Sequence, residues 1–332
     1  MRCYVKPQRL SDIMIVMKKL ILIDGNAILH RAYHALPPLT NKKGIIVNAV
    51  YGFFSMFLKI LEDQKPDFII VCFDRPKPTF RKELFVGYQA KRPKMSDDLV
   101  PQVKFVHDIL EKSRVEIFEV DGYEADDLIG TIAYQTQNSK LKTQNLETMI
   151  VSGDRDLLQL VNSHVKMIAP ITGLTNMLIY DVAKVQEKFG ILPSQIVDYK
   201  AMVGDASDNY PGVAGVGPKT AANLINEYGS LEEIYKNLEK IKAKNPNLAL
   251  KLAEGAEAAG LAQKLAGIVL DAPITLDIEK AGIKYFDKIG MKKEFEKYEF
   301  KSLLARLSDK QEVKSDKKKE EKKPVSKQME LL

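Results

Sequence analysis

The sequence predicts an α/β protein built on a twisted parallel sheet with helices on both faces. Two observations carry this. Short β-branched apolar runs recur and end in acids: "LILID" at Asp24, "FIIVCFD" at Asp74 and "TMIVSGD" at Asp154. Uninterrupted apolar strands suit the centre of a sheet covered on both sides. Helical patterns lie between them, the alternation that parallel strands require. After Gly44, the apolar Val50, Phe53, Phe54, Phe57, Leu58 and Leu61 keep an i, i+3, i+4 rhythm. Those aromatics are read as the buried face of a helix and not as a binding surface.

Composition bounds the rest. At 332 residues with 45% apolar content, the chain can bury a sizeable core as one large domain or two small ones. A net charge of +6 permits a polyanionic partner without requiring one. Cys3 and Cys72 make no disulfide framework and no zinc set, which points to a reducing, cytoplasmic setting. No apolar run approaches the roughly 20 residues of a membrane span. Residues 1–16 lack the apolar stretch and cleavage site of a signal peptide and are expected to be a loose arm or a mis-assigned start, with Met14 or Met17 as candidate first residues. Residues 308–332 hold eight lysines and six acids without an aromatic, too little apolar surface to order by burial.

In a parallel sheet, ligands bind just outside the carboxyl ends of the strands, which is where Asp24, Asp74 and Asp154 fall. One strand-end aspartate is commonly only a helix cap. Three on neighbouring strands crowd like charges, a cost that a cation relieves. "GYEADDLIG" adds Glu124, Asp126 and Asp127 at a helix start, where the helix dipole alone would favour acids. Asp156 follows Asp154 by two, and "GDASDN" adds Asp205 and Asp208. These nine carboxylates, with no His or Cys suited to join them, form the all-oxygen set that hard Mg²⁺ or Mn²⁺ prefers. They exceed the needs of one ion. Two ions would leave some acids to hold the surrounding waters, an arrangement suited to phosphodiester hydrolysis.

The stretch "MVGDASDNYPGVAGVGPKTA" sets the last two acids against a glycine loop. Gly212, Gly215 and Gly217 let backbone N–H groups approach a phosphate closely. The helix opening at Pro218, Lys219 and Thr220 adds its positive end. This is the helix–hairpin–helix pattern, which grips a nucleic-acid backbone without reading its sequence.

From about Lys18 to Leu307 the chain resembles the 5′-nuclease domain of bacterial DNA polymerase I, a relative of flap endonucleases. The matching motifs are "LILIDGNAILHRAYHALPPLTN", "CFDRPKPTFRKELFVGYQAKRP", "DGYEADDLIGTIA", "IVSGDRDLLQLV" and "MVGDASDNYPGVAGVGPKTAANLI". The resemblance implies a parallel α/β core over 17–195 with a helical arch near 75–100. A helix–three-turn–helix DNA module would occupy 196–262, and 263–307 would return to pack on the core. It also implies metal-dependent cleavage of 5′ flaps and 5′ ends of DNA and primer RNA, by a monomer associated with the nucleoid. By position, Asp24, Asp74, Glu124, Asp126 and Asp127 match the family's first metal cluster; Asp154, Asp156, Asp205 and Asp208 match its second. Arg31, Arg81 and Arg92 fall where the family faces phosphate, and Tyr88 and Lys91 belong to the same DNA-contacting arch. K⁺ is a candidate ion at the hairpin.

The chain departs from that pattern in places. The family's arch reads Tyr–Lys with the lysine at the scissile phosphate, whereas this chain has Tyr88–Gln89, leaving Lys91 or Arg92 to substitute. Ala214 stands where the hairpin often has proline. No polymerase follows, so a stand-alone 5′ nuclease is expected. At the end of the sequence, Gln328, Met329, Glu330, Leu331 and Leu332 resemble the short bacterial motif that fills a pocket on the sliding clamp. Two other readings compete: a catalytically weak DNA-structure binder that recruits partners, favoured by Gln89, and a PIN-type ribonuclease, which leaves the hairpin module unexplained.

Overall fold

Four apolar residues of β1 (Lys18–Asp24) alternate between two packed faces, and that alternation organises the molecule. Leu20 and Leu22 point into one cluster with Leu128, Ile129 and Ile132. Ile21 and Ile23 point into the other with Phe53, Phe54 and Phe57. Burial on both faces is why the strand reads as an unbroken apolar run. The computed structural model describes residues 17–138 and 146–308. The expected N-terminal arm with Cys3, and the charged tail with its clamp-like end, lie outside the described residues.

The other strands of the sheet are β2 (Phe68–Cys72), β3 (Glu116–Phe118), β4 (Leu146–Val151), β5 (Val165–Thr172) and β6 (Asn176–Tyr180), in the order β3-β2-β1-β4-β5-β6. All neighbours run parallel except β5 and β6. The sheet is thus the expected parallel one with a single antiparallel pair at its edge. That pair's connection of three residues between Thr172 and Asn176 can close a hairpin but cannot make the crossover that a parallel pair needs. β1 lies between β2 and β4. The chain therefore leaves β1 toward one edge and later returns to its other side, which opens a crevice at the carboxyl ends of these three strands.

Helices α1 (Gly25–Ala35), α2 (Asn48–Gln64), α3 (Phe80–Leu84), α4 (Val100–Lys112) and α5 (Ala125–Asn138) belong to the first half. Phe53, Phe54 and Phe57 are fully buried on α2, as the periodicity predicts. Of the expected helical arch, the described structure has the five-residue α3, followed by turns up to Leu99. Gly87 and Pro93 interrupt that stretch, and its turns are tied to another loop rather than to a helix of their own.

α6 (Val182–Phe189) leads to α7 (Ile196–Val203). A two-stranded ribbon, β7 (Gly204–Asp205) with β8 (Tyr210–Pro211), then precedes α8 (Pro218–Tyr228). Four short helices follow: α9 (Leu231–Lys236), α10 (Leu238–Lys244), α11 (Pro246–Glu254) and α12 (Ala256–Ala266). The return segment bonds to β2, with the Ile69 N–H donating to the Ala281 carbonyl at 2.9 Å. It ends in α13 (Lys288–Lys297) and α14 (Lys301–Ser308), where Phe295 meets Phe54 edge-on at 5.3 Å. No helix among the described residues is long and apolar enough to cross a membrane.

Candidate active site

The three strand-end aspartates do meet at one crevice. Asp24 caps α1, its Oδ1 accepting from the Ala27 N–H at 2.8 Å, while Oδ2 accepts from the Ser152 hydroxyl at 2.6 Å. Asp74, two residues past β2, accepts from the Ala125 N–H at 2.7 Å and so ties the start of α5 to the sheet edge. Asp154 follows β4, and its Oδ1 accepts from the Asp156 N–H at 2.9 Å. A cleft of about 1020 Å³ is lined by these three together with Glu124, Asp126, Asp156 and Asp208.

Crowding shows in the acidities. Burial pushes Asp24 up to about 7 against its capping bonds, with the charges of Asp74 and Asp154 adding to the rise. Burial likewise lifts Glu124 to about 7, opposed by the Arg81 guanidinium 3.3 Å away. Asp126 is held well above the carboxylate range by burial and then by Asp154, Asp24 and Asp74. Acids this close without compensation are what a bound cation relieves.

A second group sits at one end of the cleft. One oxygen from each of Asp156, Asp205 and Asp208 lies within 4.8 Å of the others. A side pocket of about 440 Å³ joins Asp154, Asp156 and Asp205 to Lys200. Lys200 donates to Asp156 and, at 2.6 Å, to Asp205, and Arg92 donates to Asp208 at 2.7 Å. Despite its burial, Asp205 is drawn down to about 2 by Lys200 and Ser207. Every donor in both groups is a carboxylate oxygen, so the residues fit a divalent cation.

Asp127 departs from the expected ligand set. It is fully buried, both oxygens take the Arg81 fork, and they also accept from the N–H groups of Glu124 and Val269. Those four hydrogen bonds occupy its two oxygens within the fold, and Asp127 does not line the cleft. Arg81 departs with it: the guanidinium is buried and also donates to the carbonyls of Leu265 and Gly267, which leaves it unable to face phosphate freely. Tyr88 is buried as well, its hydroxyl donating to Glu124 at 3.1 Å. Arg31 lines the cleft but donates to the carbonyls of Ile171 and Gly173 at the β5–β6 hairpin. Gln89, Lys82 and Arg92 line the cleft, whereas Lys91, exposed on the same turn, does not.

That turn is fastened to the second acidic group. The Gln89 N–H donates to the Asp208 carbonyl at 2.8 Å, and the Asn209 amide donates to the Gly87 carbonyl at 2.7 Å. The Tyr88 and Tyr210 rings stack at 6.5 Å.

In the hairpin, the glycines have different duties. A Cβ on Gly212 would lie 2.3 Å from the Met202 carbonyl oxygen, so this glycine serves internal packing. Gly215 has φ +75°, the left-handed region that glycine tolerates, and Lys251 reaches over it. Gly217 precedes α8, whose first turn no side chain caps. Those N–H groups and the exposed Lys219 are available to an anion.

Sequence reasoning missed Lys200, whose signal was a lone lysine beside the buried Ala201 and Met202, five residues before Asp205. It also missed Ser152, whose oxygen links Asp24 to the Asp154 N–H. Thr79, which donates to Glu124, escaped notice too, as did His30 and His34 in the cleft wall.

A parallel sheet with clustered acids at its switch point, beside a glycine hairpin opening a helix, defines a phosphodiesterase-like architecture of the nuclease class. Family models agree: "5′-3′ exonuclease, N-terminal resolvase-like domain" matches residues 19–190, and "5′-3′ exonuclease, C-terminal SAM fold" matches 191–289. The chain is 38% identical over 288 residues to a 5′-3′ exonuclease of Aquifex aeolicus, covering 87% of this chain and 94% of that protein. It is 43% identical over 291 residues to DNA polymerase I of Caldicellulosiruptor bescii, of which it spans 33%. The chain belongs to the 5′-3′ exonuclease family. Among solved structures, a bacteriophage T5 flap endonuclease complex with DNA and metal ions aligns with a TM-score of 0.60 at 18% identity, covering 87% of this chain and 99% of that one. The catalytic core of Rad2 with DNA substrate aligns at 0.53 and 16% identity, over 88% and 93%. At these identities the likeness is one of fold.

Proposed function

We propose that the chain is a divalent-metal-dependent nuclease that hydrolyses phosphodiesters at 5′ ends and flaps of DNA, and at RNA primers. The observation that supports this best is the convergence of Asp24, Asp74, Glu124, Asp126 and Asp154 on one cleft walled by a basic turn. The hairpin N–H groups and Lys219 would hold the duplex backbone, while Arg31, Lys82 and Arg92 border the cleft that receives the 5′ strand. Asp24, Asp74, Asp126 and Asp154 would hold one ion, and Asp156, Asp205 and Asp208 the other. When bound, the ions supply Lewis-acid chemistry to the phosphodiester and its attacking water. Ser152 fixes Asp24, and Tyr88 with Thr79 fixes Glu124, so the carboxylates meet the ions already oriented.

Within this reading Mg²⁺ is the working ion, K⁺ joins at the hairpin, and the protein acts as a monomer near the nucleoid. Its C-terminal residues 328–332 engage the sliding clamp. Labelled 5′-flap, blunt-duplex and single-stranded substrates, incubated with Mg²⁺ and then with EDTA, test the core of it. Flap cleavage abolished by EDTA is the expected result. Gln89 in the cleft favours one other reading, a catalytically weak DNA-structure binder, which predicts flap binding without cleavage in the same assay.

A further inference from the structure

We infer that Lys200 is a resident cation of the second acidic group and sets how tightly that group takes a divalent ion. The inference rests on the metal-dependent reading above and deepens it. Lys200 lies near the end of α7, where the flanking Ala201 and Met202 are buried, and its own side chain is only 14% exposed. Its ammonium is bonded to both Asp156 and Asp205, from two different segments. These are two of the three carboxylates whose oxygens converge within 4.8 Å. The third, Asp208, has a second internal cation on it, Arg92. This end of the cleft is therefore already partly neutralised by the chain itself, two cations against three carboxylates. The first group, around Asp24, Asp74 and Asp126, lacks such a lysine among the described contacts.

An ammonium and a divalent ion exclude each other here. A Mg²⁺ ion needs carboxylate oxygens at about 2.1 Å, and the ammonium already holds one oxygen of Asp156 and one of Asp205. Bringing both together would also set like charges side by side. Binding an ion must therefore move Lys200 off Asp156 and Asp205, and the measured affinity is the intrinsic one reduced by that displacement. The two ion positions are thereby made unequal. The one without a lysine fills first, and the divalent concentration at which the second fills is set by Lys200.

The test is Mn²⁺ binding to the full chain without DNA, followed by calorimetry and by the electron paramagnetic resonance of free Mn²⁺. Asp156→Asn identifies the weaker step as the one belonging to this group. Lys200→Met, which keeps the length and removes the charge, should tighten that step at least tenfold and leave the stronger step unchanged. In EDTA it should also lower the melting temperature, and Mn²⁺ should restore more of it than in the wild type. If Lys200→Met proves insoluble without metal, Lys200→Gln, which can still donate a hydrogen bond, should show the same tightening to a smaller degree. A weaker step that is unchanged or loosened in both variants overturns the inference, because Lys200 would then be a brace for the carboxylates and not a competitor. Wild-type protein that takes up no Mn²⁺ and cuts no flap overturns the underlying reading instead, so the two failures are distinct.

Discussion

Arg81 and Asp127 form a buried, two-pronged ion pair with N–O distances of 2.8 and 2.7 Å. The pair joins the root of the basic turn to α5, and through the Leu265 and Gly267 carbonyls it reaches the end of α12. Breaking such a pair from one side leaves a charge without a partner, which costs about 3–5 kcal/mol. Asp127→Ala should therefore lose that much stability in urea unfolding. Asp126→Ala, one residue earlier but facing the cleft, should lose little or gain, because it removes a carboxylate that its neighbours already repel. Equal losses in the two variants would reverse the assignment of Asp127 to structure.

Cleavage should split these two acids from the opposite direction. In the proposed arrangement, Asp126→Ala or Asp154→Ala would remove a ligand from an ion beside the reacting phosphate, an effect worth several kcal/mol to the transition state. Single-turnover flap cleavage should disappear while flap binding stays within a few-fold, since the hairpin holds the duplex. Near-normal turnover by either variant in Mg²⁺ would refute the two-ion arrangement.

The metal-free protein should grow less stable as pH rises from about 4 to about 7. Asp24 and Glu124 ionise in the folded state near 7, well above their ordinary values of 3.8 and 4.5. A raised folded pKa means the native state binds protons more tightly than the unfolded chain. That stability is whole below the unfolded pKa and is lost as pH climbs through the folded one. At about 1.4 kcal/mol per unit, the loss should be on the order of a few kcal/mol. Saturating Ca²⁺ should flatten the slope. A metal-free melting temperature that rises over this interval would contradict the crowding of the cleft.

What was legible in the sequence was what period and charge encode. Unbroken apolar runs made β1, β2 and β4 visible, and the aspartates that follow them marked the switch point. The helical rhythm of Phe53, Phe54 and Phe57 identified a core face. Asp126 and Asp127 could not be separated, because adjacent acids at a helix start look alike until one is seen to meet Arg81 from 46 residues away. The same distance problem hid Lys200, whose partner Asp156 is 44 residues off. Gly212 reads like a phosphate-binding glycine, yet only packing against the Met202 carbonyl reveals why it must be small.

The hairpin should govern affinity and not rate. Lys219→Ala removes one exposed charge from the start of α8, which the proposed reading sets against the duplex backbone, so binding should weaken alike for all duplex sequences and the salt slope should shrink by about one. Gly215→Val, at φ +75° and beside Lys251, should weaken binding further through strain in the loop. Losses that depend on sequence, read by fluorescence anisotropy on duplexes of differing base content, would point to base contacts instead.

Gln89 is the place where charge can be added to the cleft. Its backbone is fixed by the Asp208 carbonyl at 2.8 Å and by the Arg92 N–H, which donates to the Gln89 carbonyl at 3.0 Å. Its φ of +54° is no worse for lysine than for glutamine, so the exchange should leave folding unchanged. The side chain already lines the cleft, as does Arg92, but Arg92 is engaged with Asp208. An ammonium at position 89 would meet charge as it develops on the phosphoryl oxygens, which favours the transition state over bound substrate. Gln89→Lys should thus raise the single-turnover rate about tenfold, equivalent to about 1.4 kcal/mol, with flap affinity changed far less. Lys82 is the competing source, since it also lines the cleft, whereas Lys91 does not. No gain from Gln89→Lys, together with loss of cleavage in Lys82→Ala, would show that Lys82 already supplies the charge. A gain in the first variant and none lost in the second would mark position 89 as the gap.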